Sequence, residues 1–185
     1  DVPLRGEHYG SSDAHDWTTN SGRYYLLEVS VPDGYLIEQS VIPVEFTYEN
    51  QFIAWQIVDC LHSDKQTTVE IDKRAFTADS DGTFALPGAT LTVTDWNGNM
   101  VDTWESGDTV HVIRGLHLSH DFAGNRDSTK IYTLTETRPA DGYTTARSIQ
   151  FRLEQATDGK GYLQETAVWV LHESEDAAYQ SGSII

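Results

Sequence analysis

The chain has 185 residues, of which 38% are hydrophobic and 11% aromatic, so it can bury one sizeable core or two small ones and is not a disordered tail. Its 29 acidic and 12 basic residues give a net charge of −17, which disfavours binding to nucleic acid or to anionic lipid. The single cysteine, Cys60, excludes an intrachain disulfide. No signal peptide, transmembrane run or sorting tail is visible, so for an exported protein we expect those parts to lie outside this chain.

The chain repeats one order of elements. In the first copy, an aromatic-Gly turn and a polar loop lead to RYYLLEVSVPDGY, then to VIPVEFTY and to a closing strand around Trp55. In the second copy, GLHLSHDFAG leads to KIYTLTETRPADGY, then to SIQFRLEQ and to a closing strand around Trp169. Further strands precede only the second copy. We therefore interpret residues 1–65 as the C-terminal half of a module, 66–175 as a complete module and 176–185 as a linker or edge strand.

Apolar residues alternate with polar ones along most of the second module, which is typical of half-buried strands. The segment DWNGN predicts a hairpin turn, because Asn-Gly tolerates the positive φ angles that such turns require. Many short strands separated by Gly, Pro and Asn turns indicate an all-β sandwich. The positions predicted to face inward are Val69, Ile71 and Lys73; Ala89, Leu91 and Val93; Val110 and Val112; Tyr132, Leu134 and Glu136; and Ile149, Phe151 and Leu153.

Two charged residues, Lys73 and Glu136, fall on these inward faces. Burying an unpaired charge is costly, so we expect the two side chains to meet each other or a third partner. A low-dielectric interior favours a neutral amine and a neutral carboxyl. A neutral amine is a nucleophile, and a protonated carboxyl can polarise a nearby amide and move protons. The pair therefore has the chemistry for one amide crosslink between a lysine and an Asn or Asp side chain.

The segments VEIDKR, ALPGATLTVTDWNGNMVDTW, HVIRGL and YTLTETRPADGY occur in this order. In these segments the second module resembles the Cna-B (SpaA-type, prealbumin-like) domains of Gram-positive surface adhesins and pilins, as does the first half-module through YYLLEVSVPDGY. The resemblance implies immunoglobulin-like or prealbumin-like β-sandwich modules in tandem, used as an extracellular stalk. It also implies an internal isopeptide bond in many members, with Lys73 as the bond-forming lysine and Glu136 as the catalytic glutamate.

The last strand, TAVWVLHESED, departs from the family pattern because its inward phase leads to His172 where Asn or Asp is usual. Histidine has no acyl carbon for an amine to attack. Two states therefore stay open: a buried Lys73–Glu136 ion pair contacting His172, which we expect, or a crosslink to Glu173 or to another Asn or Asp. In the half-module, Glu28 and Asp59 occupy the equivalent places, and we expect their lysine to lie before Asp1.

Two functions from different classes remain open at this point. The first is a structural stalk or spacer of a cell-wall-anchored surface protein, whose partners are neighbouring modules of the same chain. The second is a module that binds host matrix or glycan through Trp96, Trp17 or the loops near His15 and His120, because exposed aromatics and long loops often bind ligands. We predict no metal site, no cofactor, no turnover enzyme, no nucleic-acid partner and no membrane insertion.

Overall fold

The computed structural model describes residues 22–37, 41–46, 59, 63–76, 82–121, 126–156, 165–171, 179–180 and 183–184, and all regular structure in these ranges is β-strand. The all-β prediction is therefore confirmed. Within the described ranges, no helical segment has the length and apolar character needed to cross a membrane. The strands are β1 (Gly22–Leu26), β2 (Tyr35–Leu36), β3 (Ile42–Phe46), β4 (Lys65–Gln66), β5 (Thr68–Ile71), β6 (Arg74–Phe76), β7 (Thr83–Ala85), β8 (Thr90–Thr94), β9 (Met100–Glu105), β10 (His111–Arg114), β11 (Tyr132–Arg138), β12 (Ile149–Ala156), β13 (Glu165–Val170), β14 (Tyr179–Gln180) and β15 (Ser183–Ile184).

The chain divides into two compact units. The first unit comprises Asp1–Glu28 and Gln39–Ser63, and the second comprises Val29–Glu38 and Asp64–Ile185. In the first unit, β1 and β3 form an antiparallel pair. The second unit contains β2 and every strand from β4 onward. Residues 29–38 thus pack in the second unit, although the sequence repeat groups them with the first half-module.

The second unit is built on two main sheets. One sheet has the order β13-β12-β11-β8-β9, and the other has the order β10-β5-β15-β14. All neighbours in the first sheet are antiparallel. In the second sheet, β15 runs parallel to β5, with Ser183 opposite Glu70 and Ile184 opposite Ile71. Residues 183–184 are therefore a paired strand of this sheet.

Buried side chains from both sheets form one core. The predicted inward phases of β5, β8, β11 and β12 are confirmed, since their alternate apolar residues are buried. The prediction for Val110 and Val112 was wrong: Val110 is 43% exposed, whereas Ile113 is buried. The register explains the difference, because β10 places Ile113 opposite Val69 on the core face of β5. The core residues are Val69, Ile71, Leu91, Val93, Ile113, Leu116, Tyr132, Leu134, Ile149, Phe151, Leu153 and Val168.

The segment Asp95–Asn99 forms the predicted turn between β8 and β9. Gly98 has a φ of 81°, and its amide donates to the Asp95 carbonyl at 3.0 Å. The Asp95 carboxylate accepts hydrogen bonds from the backbone amides of Asn97 and Asn99 and from the Asn99 side chain. The bond from the Asn99 side chain holds the pKa of Asp95 below its usual value. These bonds are local, so the sequence alone specifies this turn.

Candidate functional site

The structure brings Lys73 and Glu136 together. Lys73 follows the end of β5, and Glu136 lies on the inward face of β11 in phase with Tyr132 and Leu134. The Lys73 Nζ lies 3.4 Å from the Glu136 Oε1, with the two side chains 17% and 2% exposed. A carboxylate this deeply buried needs a cation or donors beside it, and Lys73 supplies the cation.

The second carboxylate oxygen of Glu136 has a different partner. Glu136 Oε2 accepts a hydrogen bond from the backbone amide of Ala146, which follows the turn after β11. The segment that carries Lys73 is also held by a backbone hydrogen bond, which the Leu86 amide donates to the Lys73 carbonyl at 2.9 Å. Glu136 therefore holds two separate segments, the one carrying Lys73 and the one carrying Ala146, and its orientation is fixed from both sides.

A small cavity of about 40 Å³ lies beside this pair. That volume holds a water molecule or a small side-chain group. Among the described residues that line it, Asp72 is the only carboxylate besides Glu136, and Asp72 Oδ2 accepts from Arg74 at 2.9 Å. The cavity leaves room next to the Lys73 amine, and no described asparagine lines it.

The predicted acceptor positions, His172 and Glu173, come after β13 in the sequence. The strand ends at Val170, after the buried Val168 and the half-buried Val170, which packs against the core. His172 and Glu173 lie outside the described residues. In the first unit, Glu28 is half-buried and Asp59 is exposed. Trp17 and His15 also lie outside the described residues.

Trp96 lies on the turn after β8, but its ring packs against the core. It meets the His117 ring edge-on at 5.3 Å and the Tyr132 ring at 5.7 Å between centroids. The Lys130 Nζ lies 3.8 Å from the Trp96 ring centre, within range of a cation–π interaction. The Tyr132 hydroxyl accepts from the His117 amide at 2.8 Å, and burial raises the pKa of Tyr132 to about 12. Trp96 is thus half-buried between these residues.

The sequence suggested that Trp96 is exposed, but the exposed tryptophan in the described part of the second unit is Trp169. It is 47% exposed and borders a surface hollow of about 400 Å³ that also contains His120, Arg126 and Arg152. Arg152 Cζ lies 6.0 Å over the Trp169 ring, and its Nε donates to Glu154 at 2.9 Å. The sequence carried a signal for this position, because Trp169 alternates with the inward Val168 and Val170.

Among the described residues, no group of three or more His, Cys, Asp or Glu side chains is placed to hold a metal ion. His117 and His120 instead lie near carboxylates. His117 Nδ1 is 3.3 Å from Asp33 Oδ2, and His120 Nδ1 is 4.0 Å from Glu154 Oε2.

Comparison with known proteins gives one family match. The family model of the SpaA prealbumin-like fold domain matches residues 67–167, more than half of the chain. No curated protein matches the chain.

The solved structures that are similar to the chain include two longer proteins. The TIE protein of Bacillus anthracis is 21% identical with a TM-score of 0.43, over 72% of this chain and 22% of that one. The pilus adhesin SpaC of Lactobacillus rhamnosus GG is 16% identical with a TM-score of 0.43, over 89% of this chain and 24% of that one. The chain therefore spans less than a quarter of the length of either protein.

Proposed function

This chain belongs to the family of SpaA-type prealbumin-like fold domains, and on that premise we propose that it is a structural stalk or spacer segment of a cell-wall-anchored Gram-positive surface adhesin or pilus-like protein. Its role would be to hold a distal domain away from the wall, outside the cell. The observation that carries the proposal is the extent of the family match, which begins at Thr67, just before β5, and ends within β13. The match covers β5 to β12 and the first part of β13, so it contains strands of both main sheets and every residue of the core except Val168. A spacer module that folds as an independent unit needs a hydrophobic core of its own.

The chemistry of the module is at most one crosslinking event. For such a step, the Lys73 amine would attack the side-chain carbonyl carbon of an acceptor while Glu136 moves the proton. One C–N bond would form, and ammonia would leave from an asparagine or water from a carboxyl group. Glu136 lies 3.4 Å from the amine and is held by Ala146, which supports this role. Because the usual acceptor position is His172, the expected state is the Lys73–Glu136 ion pair without a crosslink.

Intact mass of the denatured chain separates the two states. We expect the unmodified mass, and the same result for a Lys73→Ala variant after allowance for the substitution. A loss of one ammonia or one water that disappears in Lys73→Ala would show a crosslink instead. Digestion would then identify the acceptor, with Glu173 as the first position to inspect.

Single-molecule force spectroscopy tests the stalk function. With the whole chain tethered at both ends, we expect the second unit to unfold in one distinct event that releases about 3.5 Å for every residue freed. A crosslink from Lys73 to the end of β13 would remove most of that extension. Extension at low force without a distinct event would contradict a load-bearing role.

A binding function is the second candidate, and the hollow beside Trp169 favours it. An exposed indole next to Arg152 and His120 offers a stacking face and hydrogen-bond donors to a glycan or to a host matrix protein. On glycan and matrix-protein arrays, this function predicts binding that is lost in Trp169→Ala and kept in Trp96→Ala. The absence of any signal for the unmodified chain would leave only the spacer function.

A further inference from the structure

Residues 32–37 form a turn and a short strand that are integrated into the second unit. The Tyr35 amide donates to the Pro32 carbonyl at 3.2 Å, and Gly34 has a φ of 86°, which closes the turn. The chain then enters β2, whose Tyr35 and Leu36 pair antiparallel with Gln66 and Lys65 of β4. An extended segment added to a sheet edge is one of the general ways in which proteins bind peptides.

The turn fits closely against the backbone of Gly115. A Cβ atom added at Gly34 would lie 2.5 Å from the Gly115 carbonyl oxygen, so only glycine fits there. Thr67, which is fully buried, joins the two segments. Its amide donates to the Gly34 carbonyl at 2.9 Å, its hydroxyl donates to the Leu116 carbonyl at 2.6 Å, and its carbonyl accepts from the Gly115 amide at 3.0 Å. The turn is thus bound through its backbone.

The strand after the turn is held by a buried glutamine. Leu36 and Ile37 are buried. The side-chain amide of Gln155 on β12 makes both backbone hydrogen bonds of Ile37: Oε1 accepts from the Ile37 amide at 3.1 Å, and Nε2 donates to the Ile37 carbonyl at 2.7 Å. Gln155 lies among apolar neighbours on the inward face of its strand. These two bonds supply hydrogen-bond partners both for the buried side-chain amide of Gln155 and for the buried backbone of Ile37.

We propose that the second unit carries a docking groove, formed by β4, Thr67, Gly115 and Gln155, for the Pro-x-Gly-Tyr turn and apolar strand of the module that precedes it. The occupant in this chain is residues 32–37, which the sequence repeat places in the first half-module. The chain therefore passes between the two units three times, after Glu28, after Glu38 and after Ser63.

The groove deepens the proposed spacer function and rests on it for its biological purpose, which is to keep residues 32–37 anchored in the second unit under load. Its binding activity is independent of that purpose, since docking in solution requires neither a cell wall nor force. Three features set its specificity: the missing side chain at Gly34, the two apolar residues that follow Tyr35, and the backbone clamp by Gln155.

The second copy of the repeat provides a natural control peptide. Asp141, Gly142 and Tyr143 correspond to Asp33, Gly34 and Tyr35, but Thr144 and Thr145 stand where Leu36 and Ile37 are buried. Burying two threonines gains much less than burying two aliphatic side chains. A peptide of residues 137–146 should therefore bind the groove at least tenfold more weakly than a peptide of residues 29–38.

Peptide binding to the full-length Gly34→Ala variant tests the proposal. We expect the substitution to displace the chain's own segment, because the added methyl group meets the Gly115 carbonyl, and it leaves the groove residues themselves unchanged. We expect a peptide of residues 29–38 to bind this variant and raise its melting temperature, and to bind the unsubstituted chain at least tenfold more weakly because its groove is filled. The same peptide with Gly34→Ala should not bind. Equal binding to both chains, or no binding to a folded variant, would overturn the proposal.

A second variant keeps the test decisive if Gly34→Ala fails to fold. In full-length Gln155→Ala, we expect hydrogen exchange of the Ile37 amide to accelerate at least tenfold, while core amides such as that of Val93 change little. Gln150→Ala, on the same strand, is the matched control and should leave the Ile37 amide protected. Unchanged exchange at Ile37 in Gln155→Ala would refute the clamp and with it the groove. If the groove holds while the force experiment fails, only the spacer function is lost.

Discussion

Two turns of the second unit have nearly the same sequence and conformation but different surroundings. Gly34 has a φ of 86° and Gly142 one of 85°, and each turn is closed by a tyrosine amide, from Tyr35 to Pro32 and from Tyr143 to Ala140. A Cβ at Gly34 would meet Gly115, whereas one at Gly142 would meet nothing within 4 Å. The local sequence therefore determines the shape of the turn, and distant residues determine whether it is buried.

The residues that leave each turn are also held differently. Ile37 is 2% exposed and is clamped by Gln155. Thr144 and Thr145 are exposed, and the first anchor after them is the bond from the Ala146 amide to Glu136. The first turn is docked through apolar burial and an uncharged amide. The second is tied to the buried charge pair of Lys73 and Glu136.

Removing the anchor of the second turn should have the largest effect. Glu136→Ala leaves Lys73 without its partner and the Ala146 amide without its acceptor, so we expect a loss of about 3–5 kcal/mol in the free energy of unfolding. Urea unfolding monitored by tryptophan fluorescence measures this loss. Glu105→Ala is the control, because its exposed ion pair with Arg138 contributes at most about 1 kcal/mol. A loss below about 1 kcal/mol for Glu136→Ala would show that the pair is not structural.

The paired glycine substitutions compare the two turns directly. In both variants the alanine must adopt a positive φ, which lowers the free energy of unfolding by about 1–2 kcal/mol. Gly34→Ala also forces a methyl group against Gly115, and such overpacking adds about 1–3 kcal/mol. Gly34→Ala should therefore be the more destabilising of the two in urea unfolding by that difference. Equal losses for Gly34→Ala and Gly142→Ala would mean that the first turn is not docked.

Exchanging the residues after the turns sharpens the same comparison. Ile37→Thr places a hydroxyl in a buried apolar site and should cost about 2 kcal/mol. The reciprocal change, Thr145→Ile, lies on an exposed position and should fall within about 0.5 kcal/mol of the unsubstituted chain. Thermal melts of both variants test this, and comparable shifts would remove the distinction between the two segments.

The smallest difference should come from the aspartates of the two turns. Asp33 Oδ2 lies 3.3 Å from His117 Nδ1, but the Asp33 side chain is 81% exposed. Such exposed pairs contribute little, so Asp33→Asn should cost no more than about 0.5 kcal/mol. Asp141→Asn is the matched substitution in the second turn. If Asp33→Asn alone lowered the free energy of unfolding by more than about 1 kcal/mol, the ion pair with His117 would contribute to docking in addition to the backbone contacts.

Strand alternation was enough to predict most of the core and the candidate charge pair. Lys73 and Glu136 were identifiable because a charge in an apolar phase is rare and conspicuous. The phase of β10 was not predictable in the same way, because Val110, Val112 and Ile113 place apolar residues on both faces and pairing with Val69 decides between them.

The limits of sequence reasoning are clearest for residues 29–38. The repeat correctly indicates their turn, but their packing depends on Gly115 and on Gln155, which is 118 residues away from Ile37 along the chain. Trp96 illustrates the same limit. The Asn-Gly turn suggests an exposed tip, and the partners that cover the ring, His117 and Lys130, come from later segments. Contacts of this range leave no local pattern in one sequence.

Residue-resolved hydrogen exchange on the unsubstituted full-length chain tests the central difference most directly. Ile37 and Thr145 occupy equivalent positions after the two turns, so their amides can be compared within one sample. Because the Ile37 amide is buried and bonded to Gln155, its exchange, corrected for intrinsic rates, should be at least tenfold slower than that of Thr145. Equal exchange at the two positions would contradict the docking of the first turn.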